Sequence, residues 1–180
     1  MKKQYSSILV IVGVAILLLI IFGNTMFFKL NTSEFGIVFR QFSNTPLDKE
    51  NIIGPGFVMI APWNDLIRYN VSEQKKEEAM SVLDKNGLTL EVDVSVIFNP
   101  IASKIGDLHE KYLGEYIDIL IIPQLRSIMR MVIGRYNAEE IYSTKRLQIE
   151  NEIREEAAKV YKENYVEMKA LLIRSVSLPP

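Results

Sequence analysis

Hydrophobic positions change their period several times along this chain, and each change predicts an element. Ile8 to Phe22 is fifteen residues without a polar side chain, and no charge occurs from Gln4 to Phe28. As a helix rising about 1.5 Å per residue, that wider window spans roughly 37 Å, against a hydrocarbon core of roughly 30 Å. Its apolar surface comes from Ile8, Leu9, Val10, Ile11, Val12, Val14, Ile16, Leu17, Leu18, Leu19, Ile20, Ile21 and Phe22. At about −0.3 to −0.6 kcal/mol each near a helix centre, these side chains favour insertion by roughly 4 to 8 kcal/mol. The pattern predicts a short basic N-terminus at 1–4 and a transmembrane helix over 5–28. Gly13 and Gly23 are too far apart for a Gly-x-x-x-Gly dimerisation face. Lys2 and Lys3 favour a cytoplasmic or matrix N-terminus with the domain opposite, although Lys29, Arg40 and Lys49 weaken the contrast. The alternative is a cleaved signal peptide that releases a secreted or periplasmic ligand-binding domain. Against it, Gly23-Asn24-Thr25 is the nearest approach to a cleavage site, and Met26, Phe27 and Phe28 prolong the apolar character.

Beyond the anchor the period becomes two. Glu34 to Phe42 alternates as a strand, and Pro46 marks the following segment as a loop. Gly54-Pro55-Gly56 is a rigid turn into an apolar strand from Phe57 to Ala61, which stops at Pro62-Trp63. That stretch permits two readings. Either it is a buried strand capped by the sole tryptophan, or Phe57 and Trp63 are membrane-interface contacts at exposed tips, where Trp is favoured. Leu66 to Ser72 reads as a strand. Glu73 to Leu83 reads as a strand that a short helix would rival. Asp84-Lys85-Asn86-Gly87 is a turn. From Leu88 to Phe98, Leu88, Leu90, Val92, Val94, Val96 and Phe98 face one way. Thr89, Glu91, Asp93 and Ser95 face the other, as in an antiparallel strand with one wet face.

The period then becomes helical. Ile101, Ile105, Leu108 and Tyr112 form a stripe ended by Gly114. A longer helix is predicted from Tyr116 to Arg135, with a kink or restart at Pro123. Asn137 with Glu140 has capping-box spacing. Ser143 is expected to open a third helix running to Glu163, and Val166 to Leu178 closes as a strand. Strands, then helices, then a returning strand predict an α+β domain over 29–180, strand-rich over 29–100 and helix-rich over 101–180. The last strand must find an open edge of the earlier sheet.

Composition narrows the function more by exclusion than by assignment. Lys and Arg number 21 against 22 Asp and Glu, which offers no basic footprint for nucleic acid. There is no cysteine and one histidine, so neither a disulfide nor a His/Cys zinc site is available. His109 reads as a solvated helix residue. Glu139-Glu140 and Glu155-Glu156 diverge by about 100° on a helix and cannot converge on one substrate. Glu91 and Asp93 share a strand face and are the remaining acidic candidates for an enzyme. Asn31-Thr32-Ser33 and Asn70-Val71-Ser72 fit glycosylation sequons. No nucleotide-binding or nucleophile-elbow pattern occurs, and the composition calls for no cofactor. On the third helix, Arg146 and Glu150, Glu155 and Lys159, and Lys159 and Glu163 stand four apart, suited to a solvated face or to contact with a neighbouring protomer.

Taken together, several segments resemble the prohibitin group of the SPFH (band 7) family. They are Gly54-Pro55-Gly56-Phe57 leading to Ala61-Pro62-Trp63, Asp84 through Val94, Pro123-Gln124-Leu125-Arg126-Ser127 with Val132-Ile133-Gly134-Arg135-Tyr136, Asn137 through Arg146, and Ile173 through Pro179. The resemblance runs over residues 30 to 180 in family order. It implies a non-enzymatic membrane scaffold built from copies of itself or a close paralogue in a ring or cage. Such assemblies organise lipid microdomains and regulate a membrane AAA-type protease. In the family the closing Leu-Pro leads into a coiled coil that drives assembly. This sequence stops at Pro180, so assembly is expected to need that segment supplied.

Overall fold

The structure is a computed structural model and describes residues 12, 13, 17 and 26–177. The helix expected over 5–28 therefore lies almost wholly outside the described residues. Among the described residues no helix is long and apolar enough to cross a membrane. Its C-terminal limit is corrected, because Phe27 and Phe28 belong to a strand. The chain divides into two compact units, Met1–Tyr69 and Asn70–Pro180. That division precedes the strand-to-helix change expected near residue 100. Two of the strands pack with the helices rather than with the earlier strands.

The first unit contains β1 (Phe27–Leu30), β2 (Glu34–Arg40), β3 (Gly56–Met59) and β4 (Asn64–Asn70). β1 and β3 form an antiparallel ribbon, and β2 pairs with β4. Ile53 exchanges backbone hydrogen bonds with Gly36 at 2.8 and 2.9 Å, tying the long loop to β2. Gly36 is required by space: a Cβ there would lie 2.7 Å from Leu66 Cδ1 and 3.3 Å from Leu30 Cδ1. Leu30 and Ile37 are buried in this unit's core.

The second unit is built on an antiparallel sheet, ordered β5-β6-β7, of β5 (Gln74–Leu83), β6 (Thr89–Pro100) and β7 (Val166–Ser177). The closing strand does find an open edge, that of β6. Leu90, Val92, Val94, Val96 and Phe98 are buried. The opposite face is drier than the alternation predicts. Ser95 is only 2 % exposed. As a residue of the central strand it lies between Glu77 and Leu172, its register partners on the two neighbouring strands.

Three helices pack with this sheet: α1 (Ile105–Tyr112), α2 (Ile122–Ile133) and α3 (Arg146–Glu163). Ile105, Leu108, Leu125, Val132, Ile149 and Ile153 turn inward. The predicted Tyr116-to-Arg135 helix is interrupted. Ile117–Ile121 forms a wide π-helical turn in which the Ile122 N–H reaches back to the Ile117 carbonyl. Pro123 follows within the first positions of α2, where its missing N–H costs least. The Asn137 capping box is present: Glu140 N–H donates to Asn137 Oδ1 at 2.9 Å, and Asn137 N–H donates to Glu140 Oε2 at 3.1 Å. Ser143 does not open the third helix. Its hydroxyl donates to the Glu139 carbonyl at 2.9 Å, within a second π-helical turn, Glu140–Thr144, and α3 begins at Arg146.

Two buried polar groups hold these parts in place. Tyr161, fully buried on α3, donates its hydroxyl to the Ile121 carbonyl at 2.9 Å, fastening the π-helical turn. Burial pushes its phenol well above the ordinary range. Asp84, also buried, accepts N–H groups from Asn86 and Leu88 at 2.8 Å and from Ala138 at 3.0 Å. Lys85 N–H donates to the Tyr136 carbonyl at 2.9 Å beside it. The β5–β6 turn is thereby stitched to the segment after α2.

Two outcomes follow. Tyr161→Phe removes one buried hydrogen bond without changing shape and should cost about 1 kcal/mol, read as a lower denaturant midpoint at unchanged slope. The Asp84 carboxyl is held below its usual range, first by the backbone donors at Leu88 and then by those at Asn86 and Ala138. A carboxyl depressed by folding contributes stability above its unfolded value of about 3.9, lost as pH falls through the folded value. Unfolding midpoints should therefore fall on acidification below about pH 4, and Asp84→Asn should lower the neutral midpoint and flatten that acid limb.

Candidate functional site

In an antiparallel ribbon, directly opposed residues share a face. β1 and β3 pair Phe27 with Met59, Phe28 with Val58, Lys29 with Phe57 and Leu30 with Gly56. Phe28, Val58 and Leu30 therefore form the inner face. There Leu30 reaches the Gly36–Leu66 contact, and the Arg68 guanidinium lies 5.7 Å from the centre of the Phe28 ring. Phe27, Met59 and Phe57 form the outer face with Lys29. They are 63 %, 65 % and 85 % exposed. Gly56 opens β3 at φ +139°, a conformation that a side chain would strain. Trp63 is 55 % exposed in the turn that the Asn64 N–H closes onto the Ala61 carbonyl. Of the two readings of this stretch, the buried strand is corrected. Four backbone residues give β3 only one inward side chain, Val58, because alternate positions must point away. Phe57 and Trp63 were legible as candidates. Phe27, Lys29 and Met59 were not, although Phe-x-Lys and Phe-x-Met carry the right alternation.

The charged side chains of α3 lie apart from any site. None of the i,i+4 pairs Arg146–Glu150, Glu155–Lys159 and Lys159–Glu163 closes into an ion pair among the described residues. Arg146 instead donates to the Ile173 carbonyl on β7 at 2.9 Å. Glu155 and Lys159 point to solvent, and Glu150 is half-buried.

The acidic candidates diverge. Glu91 accepts the Ser81 hydroxyl at 2.5 Å from one neighbouring strand, and Asp93 accepts the Ser175 hydroxyl at 2.7 Å from the other. Each carboxylate is occupied by its own serine. Partial burial lowers the His109 imidazole below its usual range. Among the described residues no three His, Asp or Glu side chains cluster as metal ligands. A cleft between Glu77, Asp93 and Arg174 is closed by charge pairing, with Glu77 bound by Lys75 at 2.5 Å and by Arg174 at 2.6 Å.

The most chemically distinctive surface is thus an exposed apolar one, suited to a docking role. A comparison with curated proteins finds no match. The family model described as SPFH domain / Band 7 family matches residues 28–180, which begins within β1 and takes in both units. The chain belongs to the SPFH domain / Band 7 family, a family of membrane-associated scaffold proteins.

Proposed function

We propose that this protein is a prohibitin-like scaffold without chemistry of its own. It is held on a bilayer by the apolar segment around Ile8 to Phe22 and works through repeated copies. The observation that carries the reading is continuity. The family match starts at residue 28, where the uncharged window that began at Gln4 ends. A domain of a membrane-associated family, preceded directly by enough apolar chain to span, is accounted for most simply as a single-pass protein. The basic Lys2-Lys3 flank supports a domain on the side opposite the N-terminus. The prohibitin-type motifs support the finer role, the organisation of membrane microdomains and the regulation of a membrane AAA-type protease. Phe57 and Trp63 are its interface contacts with lipid. Arg146, Glu150, Glu155 and Lys159 are the candidates for contact between protomers, Glu155 and Lys159 foremost, since both are exposed and close no ion pair with each other among the described residues, whereas Arg146 already donates to the Ile173 carbonyl.

In mild detergent the complete gene product should run far above the 20.6 kDa of this chain, and its N-terminal sequence should start at Met1. A mature start near Thr25 would instead favour the released ligand-binding domain. Charge reversal of Glu155 together with Lys159→Glu should shift native size toward smaller species while leaving the thermal midpoint nearly unchanged, since exposed pairs contribute only about 0–1 kcal/mol to folding. A strictly monomeric particle from the full gene would overturn the scaffold reading.

A further inference from the structure

We infer that the outer face of the β1–β3 ribbon, together with Trp63, seats on an anionic phospholipid surface, with Lys29 as the group that meets the lipid phosphate. This rests on the membrane-scaffold reading and adds to it a defined face, a depth and a headgroup charge.

The register fixes the face. Phe27 opposes Met59 and Lys29 opposes Phe57, so three large apolar side chains surround one cation on a patch four residues long. At about 3.3 Å per residue that patch is roughly 13 Å long, small enough to enter a headgroup layer without submerging the unit. The inner face is committed to the unit's own core through Leu30 and Gly36, so the ribbon cannot turn over to hide these groups. Lys29 is exposed and forms no ion pair among the described residues.

Three observations select a bilayer as the occupant. Phe22, the last residue of the apolar run, is five residues before Phe27, a reach of at most about 18 Å. A bilayer's polar layer is roughly 5–7 Å thick on each side of its hydrocarbon core, so a chain leaving that core keeps Phe27 within the layer or no more than about 13 Å beyond it. The chemistry of the patch is also interfacial. Trp63, with an apolar ring and an indole N–H, and Lys29, with an aliphatic stem and a charged head, are side chains that settle at headgroup depth, while Phe27, Phe57 and Met59 supply apolar area beside them. Finally, the face carries a cation and no carboxylate. A second copy docking by the same face would bring Lys29 against apolar groups or its own equivalent, with no counter-charge. Anionic headgroups supply that counter-charge. A single lysine near such a surface contributes a preference of roughly five-fold for anionic over neutral lipid.

The sole tryptophan makes the test direct. The full chain is reconstituted into phosphatidylglycerol vesicles or phosphatidylcholine vesicles, each doped with acyl-brominated lipid, and Trp63 emission is recorded. Blue-shifted, bromine-quenched emission is expected, stronger in phosphatidylglycerol. Phe57→Ser with Met59→Ser should return the emission toward its solvent-exposed form. Lys29→Gln should keep the quenching but remove its lipid preference, a loss of roughly five-fold. Since all three side chains are exposed, far-UV circular dichroism and thermal midpoint should not change, and Leu147→Ser, at an equally exposed site in the second unit, should leave quenching intact.

Protein that floats with vesicles while Trp63 stays solvent-like and unquenched overturns the inference and leaves the scaffold standing. Equal quenching in both lipids overturns the headgroup assignment. Blue-shifted emission that bromine does not quench, and that grows with protein density, overturns the inference in favour of a protein partner. Failure to float at all overturns both readings.

Discussion

Strand β6 must be paired on both edges and buried on one face, and the second unit is arranged around meeting that requirement. Its neighbour β5 arrives through a tight turn, so that edge is closed locally. Its other neighbour, β7, comes from the far end of the chain. The segment between them must therefore leave the sheet, cover the face carrying Leu90, Val94, Val96 and Phe98, and return to the open edge. Helices do this with their backbone groups satisfied internally, which is why the period changes where it does. The pairing is long-range, so its loop-closure entropy must be offset by the burial it completes.

The polar groups that survive inside this arrangement fix geometry that burial alone leaves loose. Hydrophobic contact is non-directional, and a turn can slide over an apolar surface at little cost. Asp84 prevents this by accepting N–H groups from its own turn and from Ala138. Tyr161 does the same for the π-helical turn before α2. Both act on backbone that departs from regular helix or strand, where donors and acceptors would otherwise lack partners.

In the first unit the constraint is scarcity of core. A two-stranded ribbon has two faces, and a short unit can cover only one of them. Leu30, Gly36 and Leu66 close the inner face by an approach that tolerates no Cβ. The outer face is left with Phe27, Phe57 and Met59 in the open. Exposed apolar area of this kind marks an interaction surface, and its place directly after a long apolar segment gives it a setting. The Band 7 match over both units agrees with a domain whose work is to be held and to hold others.

The sequence by itself determined the elements whose signal is periodic or chemical and local. The alternation of β6, the stripes of the helices, the Asn137–Glu140 box and the interruption at Pro123 could all be read from neighbouring residues, because neighbours in sequence create them. The α+β class followed from their order, and the family motifs from their spacing. Tertiary structure alone decided which side of a short strand faces out. Phe57 and Met59 carry the composition of a core strand, and only pairing with Phe27 and Lys29 turned them toward solvent. It also decided that Ser95 is covered, that Ser143 bonds back to Glu139 rather than opening α3, and that Arg146 reaches β7 rather than Glu150. In each case the deciding neighbour or bond is fixed by the folded geometry, not by composition or spacing. A residue's partners in space follow from how the whole chain closes, whereas its propensities follow from its own atoms.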